Sequence, residues 1–443
     1  MHMNKLCYGA LPKQENLMIN TVRKDIWINS YPIFLWLALE PIVGLIDSKI
    51  ASIINLDTLS AIGIGETIYF VFIWVFIFLA YGTTPLVSSL NTKNEVNKLN
   101  YFIKFGRNVS ILLGLISFLI LYLSSDYFIS TFEPTNKIKV MSSDYLIFRC
   151  VGLPFYLVNM HSTAVLRGLK VAKITFYSAF IVSAFNIVFS LFFGLFLGFG
   201  AAGIGFASSL AFFCASIYST VVLKKHQNTL SSTSENVDKV SMRKKFFSVG
   251  VYILIRSLCL TLFMAYLRNR SSLMSMEEIA LQHILLQLWS VGYIFVDAIA
   301  IASQTLISEL ISKKEKYQKS ILQKELISVT TLISIFLTGA TVIFLEDFVQ
   351  LFAASSFDSL LDTNLKLMVA ASLFIGCFAF LWDGILLGLD KSKEFSLLTV
   401  ISSISGFLIC SYLLRTENTI STLWLSLNVS LVIRAVLGYV YQK

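Results

Sequence analysis

Residues 59–95 read "LSAIGIGETIYFVFIWVFIFLAYGTTPLVSSLNTKNE", and this stretch decides the fold because a related one follows 220 residues later. The second copy, at 279–315, is "IALQHILLQLWSVGYIFVDAIAIASQTLISELISKKE". The same shift aligns "LRGLKVAK" (166–173) with "LLGLDKSK" (386–393) without a gap. Charged, small and apolar identities all occur, which indicates an internal duplication rather than a chance match of apolar residues. In the first pair of stretches the identities are Ile64/Ile284, Val71/Val291, Ala80/Ala300, Leu86/Leu306, Ser88/Ser308, Leu90/Leu310, Lys93/Lys313 and Glu95/Glu315.

The composition indicates a membrane protein. Of the 443 residues, 56% are hydrophobic and 14% charged, and the mean hydropathy is +0.75. The apolar residues form blocks of about 20, which is the length of a helix that crosses about 30 Å of hydrocarbon. We predict an all-α polytopic membrane protein with twelve transmembrane helices. The expected spans are 29–50, 60–90, 108–123, 145–166, 174–198, 202–223, 247–267, 279–311, 327–345, 367–388, 395–414 and 420–440.

A polar segment divides these spans into two sets of six. Residues 224–245, "KKHQNTLSSTSENVDKVSMRKK", are basic at both ends and rich in Ser and Asn between them. We therefore expect an N-terminal six-helix lobe at 1–223, a cytoplasmic linker at 224–245 and a C-terminal six-helix lobe at 246–443. An even number of spans gives both copies the same orientation, so the two bundles should be related by a pseudo-twofold axis along the membrane normal.

The formal net charge of +9 reflects topology rather than a nucleic-acid partner. If both termini are cytoplasmic, most Lys and Arg residues fall in cytoplasmic segments, as the positive-inside rule requires. The outer loops keep only Lys137, Lys139, Arg268, Arg270, Lys366 and Arg415.

The sequence shows none of the motifs that would indicate an enzyme. Five of the six cysteines lie within predicted spans, without metal or disulfide spacing. There are four histidines, no HEXXH motif, no phosphate-cradling glycine loop and no Walker lysine. We therefore expect no catalytic residues, no metal and no cofactor. The polar stretch before residue 25 does not resemble a signal peptide. A bacterial cytoplasmic membrane is the expected location, with a plastid membrane as the alternative.

The segment "ALEPIVGLIDSKI" (38–50) places two acids in an apolar span, although a carboxylate in hydrocarbon costs several kcal/mol. Glu40 and Asp47 are seven residues apart, so they share one face of a helix. Such a pair could take up and release a proton within the membrane. The alternative is that Asp47 only pairs with Lys49 near the outer end of the helix.

Several stretches together resemble the multidrug and toxic compound extrusion (MATE) family, specifically its DinF-like branch. They are "LEPIVGLIDSKIASIINLDTLSAIGIG" (39–65), "FLAYGTTPLVSSL" (78–90), "LIRSLCLTL" (254–262), "ALQHILLQLWSVGYIFVDAIAIASQTLIS" (280–308) and "FLWDGILLGLDKSK" (380–393). The resemblance implies export of an organic solute driven by inward H⁺ or Na⁺.

The resemblance also assigns residues in the first half. Asp47 stands where the family has its first-helix acid, and Glu40-Pro41 matches the DinF-like branch. Asn186 matches a family asparagine, which we expect to bond with Asp47 or simply to pack. Ser190 stands where many relatives have an aspartate. This departure weakens both a site built from acids on two helices and a sodium assignment.

In the second half, we expect buried polar groups at Arg256, Gln282, His283, Gln287, Asp297 and Asp383. Arg256, Asp297 and Asp383 lie in stretches that resemble the DinF-like pattern. An arginine at this depth needs a partner, for which Asp297 and Asp383 are the candidates. Such a pair could serve transport or simply lock two helices together. His283 could titrate near neutral pH or be an ordinary hydrogen-bonded interior residue.

These observations predict a monomeric secondary antiporter that works by alternating access in the lipid bilayer. It would exchange a small organic solute for H⁺, with Na⁺ as the second choice, and Asp47 and Glu40 would couple the proton. The alternative function is a lipid-linked oligosaccharide flippase. That function favours a cleft with several cations, and the spans offer only Arg149, Arg256 and Arg434.

The predicted topology can be tested by cysteine labelling. In a background without native cysteines, Ser231→Cys should resist a membrane-impermeant maleimide in intact cells, because the basic linker should face the cytoplasm. Ser272→Cys, in a predicted outer loop, should react. Labelling of Ser231→Cys from outside would reverse the orientation.

Overall fold

The structure is a computed structural model that describes residues 4–228, 238–271, 274–350, 360–414 and 419–442. All regular elements in these ranges are helical. The α-helices are α1 (Asn4–Ile54), α2 (Leu56–Val75), α3 (Phe78–Tyr81), α4 (Thr83–Thr92), α5 (Val96–Ser130), α6 (Asn136–Cys150), α7 (Leu153–Gly168), α8 (Lys173–Phe189), α9 (Gly200–Asn228), α10 (Lys239–Ser271), α11 (Met276–Ser312), α12 (Lys316–Gln350), α13 (Thr363–Gly388), α14 (Ser392–Leu413) and α15 (Ile420–Gln442). A π-helix at Ser190–Phe196 follows α8.

Ten helical segments of the described chain are long and apolar enough to cross a membrane. They coincide with ten of the twelve predicted spans. The predicted span 29–50 lies within the 51-residue helix α1. The predicted span 145–166 is divided between α6 and α7, because the helix ends at Cys150 and restarts at Leu153. Each of these two pieces is shorter than a full crossing.

The chain packs as two compact units. The N-terminal unit comprises residues 32–254, and the C-terminal unit comprises residues 1–31 together with 255–443. These boundaries differ from the expected lobes at 1–223 and 246–443. Polarity identifies the linker as the segment between the two sets of apolar spans. The contacts of the chain, however, change from one unit to the other within α1 and within α10. The middle of the linker, 229–237, lies outside the described residues.

The beginning of α1 belongs to the C-terminal unit through both charge and packing. Arg23 Nε lies 2.5 Å from Glu325 Oε2 on α12. Ile26 is fully buried in a cluster that includes Ile299 and Leu326. One ion pair and one apolar contact therefore attach this segment to the unit formed mainly by the second half of the chain.

The beginning of α10 is held in the N-terminal unit at the equivalent positions. Arg243 Nε donates to Tyr101 Oη at 2.7 Å, and its guanidinium lies 5.5 Å from the centre of the Phe105 ring. Phe246 packs against Phe102. Arg243 and Phe246 follow Arg23 and Ile26 by 220 residues, so the duplication extends to these exchanged segments.

The helix ends repeat with the same shift. The segment Leu56–Thr92 corresponds to α11, Met276–Ser312, and α5 corresponds to α12 at both of its ends. Left-handed backbone conformations recur as well, at Asn94/Lys314 and Lys170/Asp390. The duplication predicted from sequence is therefore present in the backbone of each unit.

A glycine contact also occurs once in each unit. A Cβ at Gly168 would lie 2.6 Å from the carbonyl oxygen of Thr84, and one at Gly388 would lie 2.8 Å from Cβ of Ile307. Both distances are shorter than an ordinary Cβ contact. Helices α4 and α7 in one unit, and α11 and α13 in the other, therefore approach each other at a position where only glycine fits.

We expect Gly168→Ala and Gly388→Ala each to destabilise the protein by about 1–3 kcal/mol, since the added methyl group overpacks a close helix contact. Thermal unfolding of the purified protein in detergent would measure the loss. Gly63→Ala is the control, because a Cβ there meets no atom within 4 Å. Unchanged thermal stability in the Gly168 and Gly388 variants would contradict this packing.

Candidate functional site

Asp47 lies at the centre of a buried polar cluster in the N-terminal unit. Its side chain is buried on α1, and Ser190 Oγ donates a hydrogen bond to its Oδ1 at 2.9 Å. One end of the Asn186 amide lies 3.0 and 3.1 Å from the two Asp47 oxygens. A carboxylate only accepts hydrogen bonds, so the NH₂ group of Asn186 must face it. Both oxygens of Asp47 therefore receive donors from the protein.

The local backbone brings these two donors to the same carboxylate. Asn186 lies in the last turn of α8, and Ser190 is the first residue of the π-helix. Side chains four residues apart share one face of a helix. A π-helical turn in a longer helix is rare and frequently marks a functional position. Here it begins at the residue that binds Asp47.

The cluster continues from Asn186 to Arg149. The carbonyl end of the Asn186 amide lies 2.8 Å from Ser208 Oγ on α9, which can donate to it. Ser208 in turn accepts from Arg149 Nη1 at 2.9 Å. A hydrogen-bond chain therefore runs from Arg149 through Ser208 and Asn186 to Asp47. Every group in this chain is buried in the N-terminal unit.

Arg149 also lies beside a second carboxylate. Its Nη2 is 3.7 Å from Glu66 Oε1 on α2, and Tyr145 Oη donates to the same oxygen at 3.3 Å. The guanidinium stands 4.7 Å from the centre of the Tyr69 ring. With all three charges present, the pair of acids and the one arginine carry a net charge of −1. Protonation of one carboxylate would make the cluster neutral.

The structure describes the contacts of three of the four site residues predicted in the first half. Asp47, Asn186 and Ser190 meet directly, while the alternative pairing with Lys49 is absent from the described contacts, and Lys49 is exposed. Glu40 lies within α1, but its side chain lies outside the described residues. The predicted pairing of Glu40 with Asp47 therefore stays a prediction.

The C-terminal unit contains a separate cluster of buried charges. Asp383 on α13 accepts from Arg256 Nη2 at 3.3 Å and from Arg434, whose Nε lies 3.4 Å from Asp383 Oδ1. Asp297 on α11 lies within electrostatic range of Arg256, Asp383 and Arg434. Among the described residues it forms no hydrogen bond with them. Asp383, rather than Asp297, is therefore the direct carboxylate partner of Arg256. Two arginines and two aspartates make this cluster neutral.

The remaining predicted polar residues on α11 divide between interior and surface. Gln282 is buried, and its Oε1 accepts from Trp424 Nε1 at 2.7 Å. His283 and Gln287 are exposed. The expectation that these two are buried is wrong, because they lie one turn apart on the helix face opposite to the packed one. Ser290 and Val291 continue that exposed face.

Sequence reasoning missed five members of the two clusters. They are Glu66, Tyr145, Arg149, Ser208 and Arg434. Glu66, like Asp47, is an acid inside an apolar span, and this feature of the sequence could have identified it. Arg149 and Arg434 were noticed only as cations within spans. Their partners depend on how neighbouring helices are placed against each other, which the residue order alone does not contain.

Comparisons with known proteins agree with this architecture. Residues 32–192 match the MatE family model, a range that contains Asp47, Glu66, Arg149, Asn186 and Ser190. The crystal structure of a mutant of the Vibrio cholerae MATE transporter VcmN has a TM-score of 0.87 and covers 96% of this chain and 97% of that chain, at 14% identity. The chain therefore has the same fold as this structure and is similar to the MatE family over residues 32–192.

Two curated relatives match this chain over most of their own length. Protein DETOXIFICATION 44, chloroplastic, of Arabidopsis thaliana is 22% identical over 95% of this chain and 82% of its own. The probable multidrug resistance protein NorM of Pasteurella multocida (strain Pm70) is 22% identical over 94% of this chain and 92% of its own. The shared fold and the ten apolar helices agree with the expected all-α polytopic membrane protein.

We expect Asp383→Asn to lower folded yield strongly, because it leaves two buried guanidinium groups without their direct partner. Breaking one buried ion pair typically costs about 3–5 kcal/mol. Asp297→Asn, which removes no direct hydrogen bond, should cost much less. Gel filtration of the detergent-solubilised variants would measure the monodisperse fraction. Equal yields of the two variants would show that Asp383 does not hold the cluster together.

Proposed function

We propose that this MATE transporter exports an organic solute in exchange for protons, and that Asp47 takes up and releases the coupling proton. The observation that carries the proposal is the Asp47 carboxylate itself, which is buried in the N-terminal unit and, among the described residues, is bound only to neutral donors. An ionisable group at span depth that is not locked in a direct ion pair is suited to reversible protonation.

Ser190 can accommodate both forms of Asp47. A hydroxyl group can donate one hydrogen bond and also accept, so Ser190 can donate to the carboxylate or accept from the carboxylic acid. Asn186 has no such choice, because turning its amide would end the contact between its carbonyl and Ser208. The proton is therefore best accommodated on Oδ1, the oxygen that faces Ser190.

The same contacts favour H⁺ over Na⁺. A hard cation needs several oxygen ligands at once. Around Asp47, both Ser190 and Asn186 present hydrogens, and the Asn186 carbonyl is directed to Ser208. A proton needs only one carboxylate oxygen. Ser190, in place of the aspartate found in many relatives, further reduces the number of anionic ligands.

The distribution of charge favours a solute antiporter over an oligosaccharide flippase. A pyrophosphate-headed lipid would require free cations. Among the described residues, Arg256 and Arg434 bind Asp383, and Arg149 lies beside Glu66. The name of the Pasteurella relative, a probable multidrug resistance protein, supports a drug-like or toxic organic solute.

We further assign the transporter to the DinF-like branch from Glu40-Pro41, and to a bacterial cytoplasmic membrane. It would act as a monomer by alternating access, the mode expected of a duplicated transporter. In this scheme Glu40 assists Asp47. Glu40→Gln should shift the pH dependence of export with a smaller loss of rate than Asp47→Asn.

We expect Asp47→Asn to fold normally and to abolish gradient-driven export. The amide keeps the size of the side chain and is cheaper to bury than a carboxylate, but it cannot release a proton. Export of a panel of organic cations, with ethidium first, would be measured in proteoliposomes of matched protein content with an imposed proton gradient. Asp57→Asn is the matched control, since Asp57 pairs with Lys137 at the start of α2, outside the cluster.

Two outcomes would contradict the proposal. Uphill export by Asp47→Asn at the wild-type rate would make Asp47 structural. Equal wild-type export under a sodium gradient without a proton gradient would exclude proton coupling while leaving the transported solute class unaffected.

A further inference from the structure

The N-terminal unit carries a groove whose lining residues do not belong to the Asp47 cluster. It has a volume of about 620 Å³ and lies between α5, α7 and α9. Ile111, Leu115 and Phe118 form its α5 side, and Pro154 and Val158 contribute from α7. Ile111 and Leu115 are 40% and 52% exposed, so the groove opens on the surface of the unit. Its walls are almost entirely apolar.

The depth of the groove comes from a close approach of two helices. Gly114 on α5 lies against Pro154 on α7, and a Cβ at Gly114 would stand 2.4 Å from Cα of Pro154. The backbones of α5 and α7 are therefore in contact at the bottom of the groove, and the side chains of Leu115 and Phe118 form its wall. The result is a narrow apolar channel rather than a flat face.

Cations gather at one end of this groove. Arg107 on α5 and Thr220 on α9 are the polar residues that line it. Lys104 lies one turn before Arg107, and Lys224 lies one turn after Thr220, and both are exposed. Within the described part of the chain, Arg107, Lys104 and Lys224 form no ion pair. The positive-inside distribution assigns this end to the cytoplasm.

The length of the groove corresponds to one leaflet. Arg107 and Phe118 are eleven residues apart on α5, which gives about 16 Å at 1.5 Å per residue. Half of a hydrocarbon core about 30 Å thick is about 15 Å. An acyl chain that lies along this groove would therefore reach from the headgroup region to the middle of the membrane.

We propose that the groove binds an anionic phospholipid of the cytoplasmic leaflet. One acyl chain lies along Ile111, Leu115 and Phe118, and the phosphate binds Arg107 and the hydroxyl of Thr220. Basic pockets between transmembrane helices on the cytoplasmic side bind anionic headgroups in this way. Charge complementarity at the end of an apolar channel selects this occupant over a zwitterionic lipid or a hydrophobic partner helix.

The duplication shows that the helix packing does not require a cation at the position of Arg107. At the 220-residue shift, Arg107 corresponds to Ile327 on α12, whereas Lys104 corresponds to Lys324. The equivalent surface of the C-terminal unit therefore has the distal lysine but lacks the arginine beside the groove. Lipid selectivity should accordingly belong to the N-terminal unit.

Native mass spectrometry of the full-length protein would test the site. The delipidated protein is offered equal amounts of phosphatidylglycerol and phosphatidylcholine with identical acyl chains. Wild type should prefer phosphatidylglycerol, and Arg107→Gln should reduce that preference about fivefold, the equivalent of about 1 kcal/mol for one basic side chain near an anionic headgroup. Lys324→Gln is the matched control and should retain the wild-type preference.

A second variant tests the apolar channel. Leu115→Trp should fill the groove and lower the binding of both lipids, and its exposed position makes folding insensitive to the change. A wild-type protein without preference for phosphatidylglycerol would overturn the proposal. So would an Arg107→Gln variant that keeps the full preference, or a Leu115→Trp variant that binds both lipids as wild type does.

Discussion

A charged group buried among apolar helices must find its partners within the protein, and this constraint determines how each unit of this protein is held together. The partners of Asp47 come from α8 and the π-helix, and the chain of contacts continues through Ser208 on α9 to Arg149 on α6 and Glu66 on α2. The partners of Asp383 come from α10 and α15. Each cluster therefore fixes several helices against each other, in addition to whatever chemistry it performs.

The two clusters show how a duplicated scaffold acquires unequal chemistry. Gly168 and Gly388 repeat a helix contact, and Asn94 and Lys314 repeat a turn, because these features belong to the backbone. The charges do not repeat. At the 220-residue shift, Asp47 corresponds to Leu267, Glu66 to Leu286, Arg149 to Val369, Asp383 to Thr163 and Arg434 to Cys214. One unit therefore has a cluster with an excess negative charge, and the other unit has a neutral one.

Sequence alone predicts the features that depend on residue type and spacing. The helical class and the duplication follow from apolar blocks and a constant shift, whereas the contact of Asn186 with Asp47 was one of two alternatives that the family resemblance implied. The role of Arg149 does not follow, because it depends on which side chains of α2 and α9 face α6. His283 is expected to be buried but is exposed, because a polar residue within an apolar helix can lie on the exposed face of that helix. The packed units differ from the expected lobes for a related reason. Polarity locates the linker, but contacts such as that of Ile26 with its cluster decide which unit a segment joins.

The exchange of the first segments of α1 and α10 has a consequence for biogenesis. The N-terminal unit needs residues 239–254, which are translated after the linker, so it cannot be complete when its own six spans have left the ribosome. The C-terminal unit needs residues 1–31, which are translated before its other segments and must remain undocked until α12 and α13 have been inserted. Neither half of the gene encodes a self-sufficient folding unit. A chain cut in the linker would yield two fragments that each lack a segment of their own core and must associate to complete it.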